Sequence, residues 1–234
     1  FPNARIERID SDSISKKSYL SNLLLGFSKG EIDILVGTQM VSKGLDFPRV
    51  TLVGVISAET TLWLPDFRAD ERTFQLLTQV SGRAGRSKVE GEVIIQTYNE
   101  KHFVLRKVLE NDYKGFYAKE KADRENMGYP PFTRIALIET KDTSMDKAKG
   151  AAYDFYKEII KYKNYLKISD PTTAQIFKLL NNFRYHILIK STKESDPGGA
   201  ILRKAIMEAW TEFNKKSRYK DVKLYYDIDP QSVV

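Results

Sequence analysis

The sequence predicts an α/β lobe followed by a smaller α+β domain. Short apolar strand segments alternate with amphipathic helical ones over the first hundred residues, a Tyr129-Pro130-Pro131-Phe132 element breaks that pattern, and a new strand–helix alternation starts beyond it. Alternation of this kind marks a sheet with crossover helices packed on it.

Residues 4–9 alternate apolar and polar side chains, the period of a strand. Residues 15–28 place Tyr19, Leu20, Leu23, Leu24 and Phe27 at helical spacing, with Gly30 as the stop. Residues 32–36 and 50–56 are apolar almost throughout, which suits parallel strands covered on both faces. Residues 69–82 read as a helix and 92–97 as another apolar strand. Residues 101–126 read as two helices, one striped by Phe103, Val104, Val108 and Leu109, the other by Tyr113, Phe116 and Tyr117, a spacing that builds core. Two consecutive prolines hold the chain extended, so the domain boundary is placed at 129–132. Beyond it come a strand over 134–140 and a helix over 144–162 whose first turn favours Ser144 and Asp146. Paired strands over 174–178 and 185–190 follow, with a turn at Asn181-Asn182, then a helix over 200–214 and a strand over 223–228. The organisation is a lobe over 1–100, a helical connector over 101–128 and a βαββαβ domain over 129–234.

Composition narrows the function classes. The 234 residues are 41% hydrophobic and 12% aromatic, enough for a packed core. The chain has no cysteine, which excludes disulfides and thiolate metal sites, and only His102 and His186, far apart, so no metal site is expected. No charged n-region with an apolar h-region follows Phe1, so no signal peptide is expected, and the start reads as a cut inside a longer chain. No apolar run spans a membrane, and a cytoplasmic location is expected. The net charge is +7, concentrated in the second half: residues 128–234 hold 19 Lys/Arg against 13 Asp/Glu. Such an excess suits a polyanion, because each cation placed on a phosphate releases condensed counterions, although many soluble domains are mildly basic.

The strongest chemical signal is Gln79-Val80-Ser81-Gly82-Arg83-Ala84-Gly85-Arg86. On a helix Gln79, Arg83 and Arg86 stand four and three residues apart and share one face. Inside a helix each glycine costs about 1 kcal/mol relative to alanine, and close approach of another surface is one reason to keep it. Two guanidiniums on a face beside glycines suit a polyphosphate, which their planar forks grip bidentately. A second segment, residues 37–48, leaves the strand over 32–36 and carries Thr38, Gln39, Gly44 and Asp46. Ligands gather at the carboxyl ends of such strands; alone, the segment reads equally well as an ordinary strand exit.

Together, ILVGTQMVSKGLDFPRVTLV and QVSGRAGR resemble motifs V and VI of superfamily-two helicases. With DFRADER, IERIDSDS, YPPF and DIDP, they are similar to the primosomal protein N′ (PriA) family of replication-restart helicases. The resemblance covers nearly the whole chain. It implies a RecA-like second helicase lobe followed by the C-terminal α+β domain of an ATP-dependent 3′-to-5′ DNA helicase. Arg83 and Arg86 would then reach the γ-phosphate of ATP, and Gln79, Gly44 and Asp46 would line the nucleotide. Thr38 and Gln39 would touch the DNA backbone. Asp66, Arg68, Glu71 and Arg72 read either as interlobe groups or as a solvated helix start.

In the C-terminal domain Lys178 and Arg184 are the candidate contacts with DNA or an acidic protein tail; Phe183 and Tyr185 read as core or cross-strand pairs in preference to a stacking platform. No G-x-x-x-x-G-K-[ST] loop and no D-E-x-[HD] motif is present. The family keeps these, with the Mg²⁺ site, in a first lobe, and its zinc-binding insert lies between the lobes. The chain is therefore expected to be inactive alone. The resemblance also implies forked or single-stranded DNA, single-strand-binding protein and primosome or helicase-loading proteins as partners, and a nucleoid-associated location. Two readings compete with this one: a non-catalytic nucleic-acid-binding module, and another superfamily-two translocase.

Overall fold

The computed structural model describes residues 1–9, 17–37, 47, 49–82 and 91–233. They form two compact units, Phe1–Leu64 with Arg68–Tyr117, and Pro65–Phe67 with Ala118–Val234.

In the first unit β1 (Ile6–Ile9) runs parallel to β2 (Ile34–Gly37), with Ile6 opposite Ile34. The crossover between them carries α1 (Lys17–Lys29), since parallel neighbours cannot be joined by a tight turn. Gly30 ends α1 with φ +82°, and Glu31 N donates back to Gly26 O at 2.9 Å. A side chain would strain that left-handed backbone. A second parallel pair joins β3 (Leu52–Val55) to β4 (Glu92–Ile95). Between these strands lie α2 (Glu59–Leu62) and α3 (Ala69–Ser81); α4 (Phe103–Leu109) and α5 (Tyr113–Met127) follow.

The core of this unit joins Phe74 and Leu77 of α3 to Val104, Leu105 and Val108 of α4 and Phe116 of α5. The Phe74 and Phe116 rings stack with centroids 4.1 Å apart. Val104, Leu105, Val108 and Phe116, in the stretch read as a connector, pack into the core of this unit, which extends to Tyr117 within α5. The apolar stripe of α4 is what binds it to α3. The strands also differ from the expectation of two covered faces. Val53, Val55 and Ile95 are half-buried, while Leu52 and Ile94 on the opposite face are more than half exposed. Side chains alternate across a strand, and the packed helices cover one side of this pair.

The second unit is a split βαβ sheet with two helices on one face. Its strands are β5 (Thr133–Asp142), β6 (Lys167–Ile168), β7 (Thr172–Leu179), β8 (Asn182–Thr192) and β9 (Lys223–Ile228). β5 is central, antiparallel to β8 on one side and β9 on the other; β6 and β7 both pair with β8. The βαββαβ expectation holds, with the two-residue β6 added. The hairpin turn is Leu180-Asn181, with φ +46° and +62°, one residue earlier than the sequence suggests, because Leu179 pairs with Asn182. Two consecutive positive φ values give the primed turn that matches strand twist.

Helix α6 (Met145–Ile159) begins at Ser144, whose hydroxyl accepts from Lys147 N at 3.4 Å. Helix α7 (Ala200–Asn214) begins differently. Its orphan amides are met by the buried Asp196, which accepts from Leu202 N at 3.1 Å and Ile201 N at 3.2 Å. Burial pushes the Asp196 carboxyl up, but these bonds and that from Ser191 more than offset it and hold it below the ordinary carboxylate range. Ala151, Phe155 and Ile159 of α6 and Leu202, Ile206 and Phe213 of α7 close over Ala136, Ile138, Ile187 and Ile189 of the sheet. Phe155 has no exposed surface. Truncating it, Phe155→Ala, is expected to cost about 3–5 kcal/mol, read as a lowered denaturant midpoint for this unit.

Candidate functional site

Helix α3 positions the residue nearest the paired arginines of the sequence. Ala69, Thr73, Phe74 and Leu77 are its buried positions, and the Thr73 hydroxyl donates to Ala69 O at 2.8 Å. Gln79 stands two residues past Leu77, about 200° round the helix. It is therefore exposed, facing away from the lobe core, as is Gln75 one turn before it. The helix stops at Ser81. Gly82 caps it with φ −71° and ψ 0°, donating its N–H to Thr78 O at 3.0 Å. Gly82 is thus not inside the helix, and the interior penalty does not apply to it. A Cβ on Gly82 would meet Thr78 O at 3.5 Å, an ordinary contact, so no described neighbour requires glycine there.

Arg83 and Arg86 lie outside the described residues, as do Thr38, Gln39, Gly44 and Asp46. Thr38 and Gln39 follow the carboxyl end of β2 directly in the chain, and Gly44 and Asp46 come within the next seven residues.

Of the two cations expected to touch DNA, the structure separates one from the other. Lys178 is exposed near the tip of the β7–β8 hairpin, its ammonium 4.9 Å from the centroid of the Phe183 ring opposite. Arg184 is committed inside the fold. Its Nε and Nη2 donate to Glu139 Oε2 at 2.8 and 2.6 Å, and its Nη1 to Ile176 O at 3.3 Å. His186 Nε2 lies 2.9 Å from the same carboxylate oxygen. Burial pushes the Glu139 carboxyl up, but the hydrogen bonds from His186 and Arg184 outweigh it and hold it at about 2. Arg184 is thus half-buried and paired within the fold. Strand register is the reason, because β8 sets Arg184 and His186 on the face where β5 presents Glu139. Tyr185, on the other face, is buried against Ala148 and Ala152 of α6, with Phe183 packed at the edge of that cluster, in line with the core reading.

One further feature escapes sequence reasoning. At the carboxyl ends of β3 and β4 the buried Glu59 accepts from the Thr97 hydroxyl at 2.5 Å and from Tyr98 N at 2.8 Å. The hydrogen bond from Thr97 leads in holding that carboxyl below its ordinary range. The tie sets the exposed rings of Trp63 and Tyr98 alongside one another, nearly parallel, with centroids 6.3 Å apart. Nothing local in the sequence signals it, since Glu59 and Tyr98 are 39 residues apart.

Among the described residues no group of three or more His, Cys, Asp or Glu is arranged to hold a metal ion. Nor is any described helix long and apolar enough to cross a membrane.

The family model for the helicase conserved C-terminal domain matches residues 3–88, and that for the primosomal protein N C-terminal domain matches residues 125–231. The chain is 41% identical to the replication restart protein PriA of Bacillus subtilis over 98% of its own length and 28% of the relative's. It is 37% identical to that of Haemophilus influenzae over 100% of the chain and 31% of the relative, and 40% identical to that of Synechocystis over 81% and 23%. The chain belongs to the PriA family. It spans about three tenths of the length of the Bacillus and Haemophilus PriA proteins. The first match ends before α4 and the second starts in the last turn of α5, in agreement with a helicase lobe followed by a PriA C-terminal domain.

Proposed function

We propose that this chain supplies the second motor lobe and the C-terminal domain of an ATP-driven, 3′-to-5′ DNA helicase that restarts stalled replication forks. The observation that carries the reading is the end of α3. Gln79 faces solvent in its last turn, and the chain runs from there through Gly82 into Arg83 and Arg86, within the stretch that matches the helicase family. In this reading Arg83 and Arg86 pair with the γ-phosphate of ATP. Their guanidiniums stay charged at working pH and stabilise the charge that spreads over the transferring phosphoryl group. Gln79, Gly44 and Asp46 line the nucleotide. Thr38 and Gln39 grip the DNA backbone, and Lys178 and Arg184 add contacts in the second unit, Arg184 while paired with Glu139.

The phosphate loop and the Mg²⁺-binding acidic residues belong to a first lobe, in the part of the relatives' length that this chain does not span. When bound, Mg²⁺ neutralises charge on the β- and γ-phosphates. The zinc of the full-length protein belongs there too. Forked or single-stranded DNA, single-strand-binding protein and primosome-loading proteins are the partners, in a cytoplasmic, nucleoid-associated setting. The basic balance of the second unit favours the DNA contact.

The 234-residue chain is expected to release no phosphate from ATP above background, with or without single-stranded DNA. A coupled phosphate-release assay checks this, and DNA-stimulated turnover by the isolated chain would contradict the division of the site between two lobes.

A further inference from the structure

Strand β9 ends the sheet of the second unit. β5 lies along one side of it, and no described strand lies along the other. It pairs with β5 in unbroken register from Lys223 to Ile228, so no bulge blunts this edge. Which of its backbone groups stand free follows from one bond. Asp229 N donates to Ile135 O at 2.7 Å, which makes those two residues a hydrogen-bonded pair. Bonded and non-bonded pairs alternate along an antiparallel ladder. Lys223, Tyr225 and Asp227, at even steps from Asp229, therefore turn their N–H and C=O groups toward β5, and Leu224, Tyr226 and Ile228 turn theirs outward. Such an edge is a template for another strand.

The side chains say which strand fits. On the open face of the sheet Lys223 stands opposite Lys141 of β5, a like-charge pair, and Asp227 stands opposite Leu137. Both Lys223 and Asp227 are exposed. Tyr225 lies between them, 48% exposed, with the Lys141 ammonium 4.4 Å from its ring centroid. On the opposite face Leu224 is half-buried, and Tyr226 is 43% exposed, edge-on to Trp210 of α7 with centroids 5.2 Å apart. The run Lys223-Leu224-Tyr225-Tyr226-Asp227 complements itself when set antiparallel about Tyr225. Lys223 then meets Asp227 twice, Leu224 meets Tyr226 twice, and Tyr225 meets itself.

We propose that the free edge of β9 docks a second copy of this chain, β9 against β9, about a twofold axis through Tyr225. The backbone admits this pairing, because Leu224 and Tyr226, whose groups point outward, fall opposite one another and exchange both bonds. Sliding the second copy by one residue would set outward groups against inward ones. Sliding it by two keeps the bonds but parts Lys223 from Asp227. The contact places an acid beside each Lys223 and covers the exposed tyrosines, and cross-strand pairs of both kinds stabilise a sheet. It is isologous and closes at two copies. The inference uses the second unit alone and stands apart from the ATP reading.

The chain has no cysteine, so one introduced thiol reports on one position. In the proposed dimer the two copies of residue 225 form a non-hydrogen-bonded pair, with Cα atoms about 4.5 Å apart, within the span of a disulfide. Mild oxidation of the 234-residue chain carrying Tyr225→Cys is expected to give a linked dimer. Tyr226→Cys, whose two copies stand two residues out of register, is expected to give little. Equal linkage at both positions, linkage at 226 alone, or linkage at neither overturns the pairing. Sedimentation equilibrium of the full-length protein from about 1 to 200 µM, the range of a small interface, should show monomer passing to dimer. Lys223→Asp or Asp227→Lys should weaken the dimer about tenfold by setting like charges across the axis, and the two together should restore it to within about threefold. A full-length protein that stays monomeric, single variants without effect, or a double variant no better than the singles overturns the proposal.

Discussion

Replacing Arg86 with alanine in the full-length protein is expected to lower ATP turnover by about 10³–10⁵-fold while DNA affinity stays within a few fold. The size follows from the chemistry. Charge that spreads over the phosphoryl oxygens needs a fixed cation at close range, and the low dielectric of a closed cleft makes that cation worth far more than it is in water. Arg86→Lys keeps the charge but loses the planar fork, and little of the lost rate should return. Arg83→Ala should act in the same direction, and combining the two should add little, because groups that act on one transition state are not additive. Steady-state phosphate release with saturating single-stranded DNA reads all three. An Arg86→Ala enzyme within about tenfold of the parent would remove this residue from the finger role.

Glu139→Gln is expected to destabilise the second unit strongly. The side chains of Glu139 and Arg184 are 15% and 13% exposed, so the substitution strands a guanidinium in a place water barely reaches. Breaking a buried pair in this way costs about 3–5 kcal/mol. The same pair predicts an acid transition. The folded-state value near 2 lies below the ordinary 4.5, so the carboxylate contributes stability above about pH 4.5, and that contribution fades as pH falls toward 2. A shift of this size is worth about 3 kcal/mol at neutral pH. Urea midpoints at pH 7, 4 and 3 should fall steeply for the parent chain and less steeply for Glu139→Gln. A variant within roughly 0.5 kcal/mol of the parent at pH 7, the range of an ordinary surface change, would show that the pair contributes nothing. For the same reason Arg184→Ala should also lower the stability of this unit.

Much of the fold is legible in the sequence where information is local. The helical stripes of α1, α3, α6 and α7 and the alternation of β5 and β9 repeat over several residues, and Ser144 marks a helix start by its own hydroxyl. The short pieces are not legible. Four-residue α2 and two-residue β6 carry too little periodicity to stand out from a loop. Long-range pairing is not legible either. Arg184 looks like a surface cation until strand register sets it beside Glu139, 45 residues away. Asp66 looks equally like an interlobe group or a solvated helix start, and only the return of the chain's last residues, 166 positions on, shows that it is buried and bonded. The candidate site is legible as a motif, because Gln79 and the arginines sit within eight residues. Its glycines are less so: Gly82 serves as a helix cap, a role that spacing alone does not separate from close approach.

The central claim is geometric. It is tested most directly by a structure of the full-length protein with Mg²⁺ and a non-hydrolysable ATP analogue. At least one of the Arg83 and Arg86 guanidiniums should then stand about 2.7–3.1 Å from a γ-phosphate oxygen, the range of a charge-assisted bond, with Asp46 at the ribose side. Both guanidiniums lying beyond about 10 Å, outside the Debye length at ordinary ionic strength, in the nucleotide-bound, DNA-bound enzyme would contradict it.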